Sequence, residues 1–123
     1  MAFETERAEI TRGVRTAVVR DKDQSAANTA LTVTTPTGAV RKLLFVTVKY
    51  SAAPTQGGVT VELDSGAGAA WDTPLFTGTA NAQNNVYLPD EEVLILPDDG
   101  IKVTAPAGGG TVTSAIAIYT EAY

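Results

Sequence analysis

The chain has no histidine and no cysteine, and only one tryptophan and one methionine in 123 residues. Without histidine the commonest general base at neutral pH is missing. Without cysteine there is no thiol nucleophile, no thiolate zinc site and no disulfide scaffold. Imidazole zinc sites and histidine-dependent triads are excluded too, so carboxylate, lysine, serine and tyrosine are the only reactive groups left. No apolar run approaches the ~20 residues that span a bilayer. Residues 1–10 alternate charges where a secretory signal would carry its apolar stretch, which predicts a soluble chain made without such a signal. An excess of positive charge is lacking as well. The formal net charge is −5, and an acidic molecule repels phosphate backbones, so nucleic acid and membrane are not expected partners. Together these absences predict no enzyme activity and no cofactor.

A chain of 123 residues has the length of one ordinary domain and can bury enough surface to fold without metals or disulfides. Its β-branched runs are punctuated at short intervals by glycine, proline, asparagine and aspartate, the pattern of a β-sandwich or barrel. The strongest strand covers residues 40–50, with Leu44, Val46, Val48 and Tyr50 on one face and Leu43, Phe45, Thr47 and Lys49 on the other; apolar residues on both predict burial on both sides. In residues 59–64, Val59, Val61 and Leu63 alternate with Thr60, Glu62 and Asp64, which marks a half-buried strand. Further strands are read at residues 30–34, 71–77, 84–88, 92–96, 101–105 and 111–120. Pro74 assigns its strand to an edge or a bend. The turn sequence Pro97-Asp98-Asp99-Gly100 predicts a hairpin into residues 101–105. About eight short antiparallel strands in two sheets give a jelly-roll-like sandwich. The core expected from this pattern is Leu44, Val46, Val48, Val61, Leu63, Leu94, Ile101, Val103, Ile116 and Ile118.

Charge divides the chain near Asp23. Residues 1–23 hold five basic and five acidic groups, whereas residues 24–123 hold four basic and nine acidic ones, so the net charge belongs to the body. The first segment reads as an N-terminal arm or a first strand, followed by a β-sandwich body over 24–123. Ile10, Val14 and Val18 are spaced as on one helical face, but Gly13 and the β-branched residues favour extended structure. An arm that orders on a partner fits the same residues. Its candidate partner-binding residues are Phe3, Arg7, Ile10, Arg12, Val14, Arg15, Val18 and Val19.

Other candidates for chemistry are thin. Asp90, Glu91, Glu92, Asp98 and Asp99 bracket one apolar strand and could offer oxygen ligands to calcium, but no twelve-residue calcium loop is present and turn aspartates explain the same letters. A paired-carboxylate glycosidase finds little material for a sugar cleft, and Trp71 reads as a core or rim anchor. The Gly108–Gly110 run lacks the lysine and the serine or threonine of a phosphate loop, and Gly66 and Gly68 lack the third glycine of a dinucleotide site. Lys42 and Lys49 read as solvated strand lysines.

Residues 43–54 (Leu-Leu-Phe-Val-Thr-Val-Lys-Tyr-Ser-Ala-Ala-Pro), residues 59–65 with the small-residue loop running to Trp71-Asp72-Thr73, Tyr87-Leu88-Pro89-Asp90-Glu91, and Leu96-Pro97-Asp98-Asp99-Gly100-Ile101-Lys102-Val103 together resemble small virion proteins of tailed bacteriophages. The resemblance covers roughly residues 40–104, is a pattern of strands and turns, and contains no catalytic motif. Within that group the likeness is to capsid decoration, or cement, proteins. It implies a structural protein made in the host cytoplasm and carried on the capsid surface. There it would bind the major capsid protein, brace neighbouring subunits, and associate with copies of itself as a dimer or trimer. Two alternatives stand beside it: another head-neck, fibre-base or tail adaptor, and a carbohydrate-binding module presenting Trp71, Tyr87 and Tyr119 to sugar rings.

Overall fold

A computed structural model describes residues 17–56 and 58–123. They form nine strands: β1 (Val18–Gln24), β2 (Leu31–Thr34), β3 (Arg41–Tyr50), β4 (Thr60–Asp64), β5 (Thr73–Thr77), β6 (Asn84–Tyr87), β7 (Leu94–Ile95), β8 (Gly100–Ala105) and β9 (Ser114–Ala122). Among the described residues the one helical element is a 3-10 turn, Ala69–Trp71. Sheet one has the order β1-β9-β3-β6, with β7 pairing the start of β3 beside β6; sheet two has the order β2-β8-β4-β5. Every pairing is antiparallel. The pairs β1·β9, β2·β8, β3·β6 and β4·β5 are nested like the rungs of one long hairpin, and the pairings β9·β3 and β8·β4 stitch that hairpin into a roll. This is the jelly-roll arrangement of an antiparallel sandwich, and the all-β expectation holds.

The core lies between the sheets and comes from period-two alternation. Val46, Val48 and Tyr50 on β3, Val61 on β4, Ile101, Val103 and Ala105 on β8, and Ile116 and Ile118 on β9 are all buried, joined by Leu31, Val33, Leu43, Val59 and Ile95. Two of the ten expected core positions are displaced. Leu94 is exposed and Ile95 takes its place, because β7 is only two residues long and its register, Arg41 with Ile95 and Lys42 with Leu94, sends Leu94 outward. Leu44 is half-buried and Leu43 is buried instead. The cause is a β-bulge: Tyr119 pairs with Phe45 and Thr120 with Leu43, so Leu44 is the extra residue and the inward face changes phase there. Seven of the others are buried, and the eighth, Leu63, packs only partly against the cluster.

Two further readings change. The turn at Pro97–Gly100 exists, with the Asp99 amide donating to the Leu96 carbonyl at 3.0 Å, yet it makes no hairpin. It carries the chain from β7 in sheet one to β8 in sheet two, because Gly100–Ala105 finds its partners on β2 and β4. Trp71 sits in the 3-10 turn at the rim, 68% exposed, and the strand begins after it at Thr73. Pro74 lies on β5, the edge of sheet two, opposite a register shift at Val61/Glu62, a position where a missing amide proton is tolerated.

Strand β1 differs from the others. It spans the composition boundary at Asp23, and none of its side chains belongs to the core. Its inward positions, in register with Thr120, Ile118 and Ile116, are Val19, Asp21 and Asp23, and Val19 stays partly exposed outside the core. Arg41 reaches in from β3 and donates from Nη1 to Asp21 Oδ2 at 3.4 Å and to the fully buried Thr120 hydroxyl at 3.1 Å. The strand is therefore held by its backbone ladder and a partly buried polar cluster. Inward charges on an edge strand also discourage uncontrolled edge-to-edge pairing.

The largest buried polar anchor is Tyr50, whose hydroxyl donates to the Pro106 carbonyl at 2.8 Å. Burial raises its phenol above the ordinary value, and Tyr87 is raised by burial and then by the Asp90 charge. The native state therefore holds both phenolic protons more tightly than the unfolded chain does. That contribution to stability is complete below the unfolded value of about 10 and is lost as pH climbs through it and on through the folded value. Urea unfolding should keep its midpoint up to mildly alkaline pH and lose it above about pH 10. Tyr50→Phe should cost about 1–2 kcal/mol near neutrality by orphaning the Pro106 carbonyl, and should flatten the alkaline loss.

Candidate functional site

Cross-strand register turns the outer face of sheet one into rows of side chains, since directly paired residues share a face. One row runs Gln24, Ala115, Lys49, Asn84 and the next Lys22, Ala117, Thr47, Val86. The third holds Arg20, Tyr119 and Phe45, and the fourth Val18, Glu121, Lys42 and Leu94. In the third row the Phe45 and Tyr119 rings stack with centroids 4.1 Å apart and planes 18° from parallel, and the Arg20 guanidinium lies 6.0 Å from the tyrosine centroid. In the fourth, Lys42 lies 3.6 Å from Glu121 and 4.0 Å from Glu92.

Sheet two presents a different outer face. Thr32, Thr104, Thr60 and Thr77 form one row across all four strands, and Thr34, Lys102, Glu62 and Pro74 form the next. Lys102 and Glu62 pair at 3.8 Å. Short hydroxyl side chains and a matched ion pair make a well-solvated surface. By contrast, of the eight large apolar side chains left exposed among the described residues, Val18, Val19, Val86, Leu88, Leu94, Leu96 and Tyr123 belong to strands of sheet one or to residues just past their ends, and only Trp71 belongs to sheet two. Val86 and Leu88 are 56% and 67% exposed. Of these, the register places Val18, Val86 and Leu94 on the outer face of sheet one, and exposed apolar side chains beside an aromatic pair make that face the candidate contact surface.

The other candidates are dispersed by the fold. Asp99 Oδ1 accepts from the Gly66 amide at 3.0 Å, Glu92 turns toward Lys42, and among the described residues no three acidic groups gather as a metal ion requires. The glycine run is tied internally: the Gly109 amide donates to Asn28 Oδ1 at 3.0 Å and the Gly108 carbonyl accepts from the Thr55 amide at 2.9 Å. Trp71, Tyr87 and Tyr119 do not share a surface. Tyr87 packs on the core and stacks on Phe76 at 5.3 Å, Tyr119 lies on the outer face of sheet one, and Trp71 lies on the β4–β5 connection. Of the arm's candidate binding residues, Val18 and Val19 are exposed on β1, with Val18 in register on the outer face of sheet one. Phe3, Arg7, Ile10, Arg12, Val14 and Arg15 lie outside the described residues.

Sequence reasoning passed over the face itself. Its signal was present in the outward positions of β9, where Ala115 and Ala117 stand beside Tyr119, and in the outward valine of β6. Alternation finds the core but not which outward residues meet across strands, and the burial expected on both sides of residues 40–50 gives way to an outer face on which Phe45 and Thr47 are half-buried and Lys49 is exposed. No family model matches the chain, and no curated protein matches it in sequence.

The stack at the centre of this face has a measurable consequence. A double-mutant cycle of Phe45→Ala and Tyr119→Ala, followed by urea unfolding, should give a coupling of about 0.5–1.5 kcal/mol. A coupling near zero would show that the two rings contribute independently.

Proposed function

We propose that the chain is a structural binding protein of a tailed-bacteriophage virion, a decoration protein that docks on the outside of the capsid and braces neighbouring capsid subunits. The observation that carries its binding role is the difference between the two outer faces: sheet two carries threonines and a matched ion pair, while the outer face of sheet one sets the exposed Val18, Val86 and Leu94 about a stacked aromatic pair. The capsid as partner rests on the resemblance of residues 40–104 to small phage virion proteins. A jelly roll is compatible with that role, although the same fold serves lectins and other functions and by itself assigns none.

A rigid sandwich suits the task physically. A shell packed with DNA is pushed outward, and a domain whose contacts exist only in the assembled lattice raises the free energy needed to separate the subunits it bridges. Individual contacts can be weak, because repetition over the shell multiplies them. The acidic body helps to keep a densely covered particle soluble, and the arm's basic groups offer forked hydrogen bonds to carboxylates on the partner.

Purified protein should co-sediment with heads that lack it. Val86→Asp with Leu94→Asp on sheet one should abolish binding while thermal unfolding shifts by only a few degrees, and Thr60→Asp with Thr104→Asp on sheet two should leave binding intact. Removing residues 1–16 should lower occupancy without preventing folding. Binding to tails or necks in place of heads would move the protein to an adaptor station, and sugar binding without particle binding would refute the virion reading.

A further inference from the structure

On the outer face of sheet one, β9 contributes only methyl groups where Ala115 and Ala117 lie between β1 and β3. The flanking side chains are Lys22 and Gln24 on one side and Thr47 and Lys49 on the other, and they enclose a shallow concavity of about 470 Å3. Since β1 and β3 flank a single strand, their backbones stand about 9.5 Å apart. Two long cationic side chains therefore rise on either side of a floor too small to fill the space between them. Arg41, Lys42 and Lys102 each have an acidic partner. Among the described residues Lys22 and Lys49 have none, although the chain carries five more acidic than basic groups.

Asp23 also lines the concavity, its carboxylate accepting from the Gln24 amide at 2.8 Å, and two further acids without a cation stand elsewhere on the same sheet. Residues 88–93 connect β6 to β7, and in that connection Asp90 and Glu91 are exposed and, among the described residues, pair with no cation; Leu88 beside them is also exposed. They cannot reach their own groove. Asn84, at the start of β6, pairs with Lys49, so the chain leaves β6 after Tyr87 at the end away from the groove. Two separated sites of opposite charge on one surface are complementary across neighbouring copies of the chain.

We propose that this groove receives residues 88–92 of a second copy of the chain, with Asp90 and Glu91 held between Lys22 and Lys49 and Leu88 laid over the Ala115 and Ala117 floor. Each copy offers one loop and one groove, so the contact is made twice about a two-fold axis in a reciprocal dimer, or repeats head to tail into a ring or a longer assembly, according to the rotation between neighbours. Exposed ion pairs are individually weak, so association is reversible, needs the leucine as well as the charges, and weakens as salt screens them. The third and fourth rows of the face stay outside the groove.

The test needs only the full-length protein in solution and so stands apart from the capsid reading. Sedimentation equilibrium over a concentration series should show reversible self-association that weakens at high salt. Lys22→Glu with Lys49→Glu, and separately Asp90→Lys with Glu91→Lys, should each weaken it about tenfold or more, with thermal unfolding as the control for folding. Mixing the two variants should restore association, because each groove then meets a loop of opposite charge. If a reversal variant fails to fold, Lys22→Gln with Lys49→Gln should still give a smaller loss in the same direction. A wild-type chain that stays monomeric, association indifferent to these substitutions, or a mixture that stays dissociated would overturn the proposal.

Discussion

The pairing of β3 with β9 is the contact on which the rest of the molecule depends. These two strands are the longest in the structure, and they run beside each other from Arg41 opposite Ala122 to Tyr50 opposite Ser114. Between them they supply Leu43, Val46, Val48, Tyr50, Ile116 and Ile118 to the core, so one ladder sets one wall of the sandwich. The nested pairs alone would make a long flat hairpin with both faces wet. Joining its third strand to its last bends it into a roll, and β8·β4 does the same for the opposite sheet. Sheet two then has a surface to close against, and the apolar faces of both sheets leave water together.

The bulge at Leu44 and the outer face of sheet one are linked through that ladder. Because Leu44 is skipped, Leu43 turns inward while Phe45 stays outward opposite Tyr119. The same irregularity therefore completes the core at one end of β3 and aligns the aromatic pair on the outside. On the other flank of β9 the order of priorities is reversed: β1 turns Val19, Asp21 and Asp23 inward and adds no side chain to the core. Its outward positions, Val18, Arg20, Lys22 and Gln24, extend the face. The strand widens the outer face more than it deepens the core.

Much of this architecture is legible in the sequence. Alternation at Val59, Val61 and Leu63, the paired isoleucines Ile116 and Ile118, and turn residues at short intervals are local signals that leave little choice of element. What alternation cannot supply is phase across an irregularity or partner across a gap. Leu94 and Ile95 are equally apolar, and only their pairing with Lys42 and Arg41 decides which one faces inward. The Pro97–Gly100 turn has hairpin letters, yet whether the chain returns to the same sheet depends on where β2 and β4 lie, far away in sequence. The outer face of sheet one was hidden for a related reason: Lys22, Ala117, Thr47 and Val86 come from four separated segments, and only the register makes them a row.

The position of β9 has a kinetic consequence. Its partners on β3 lie more than sixty residues earlier, and β1 must also wait for it, so the central ladder joins segments far apart in the chain. Folds dominated by such non-local pairings reach the native state slowly, because loop closure must be achieved before the contacts that reward it can form. Until residues 114–122 have left the ribosome, β3 presents an unpaired edge carrying Leu43, Val46 and Val48. The nascent chain is then at its most adhesive, and the emergence of β9 is the event that quenches it.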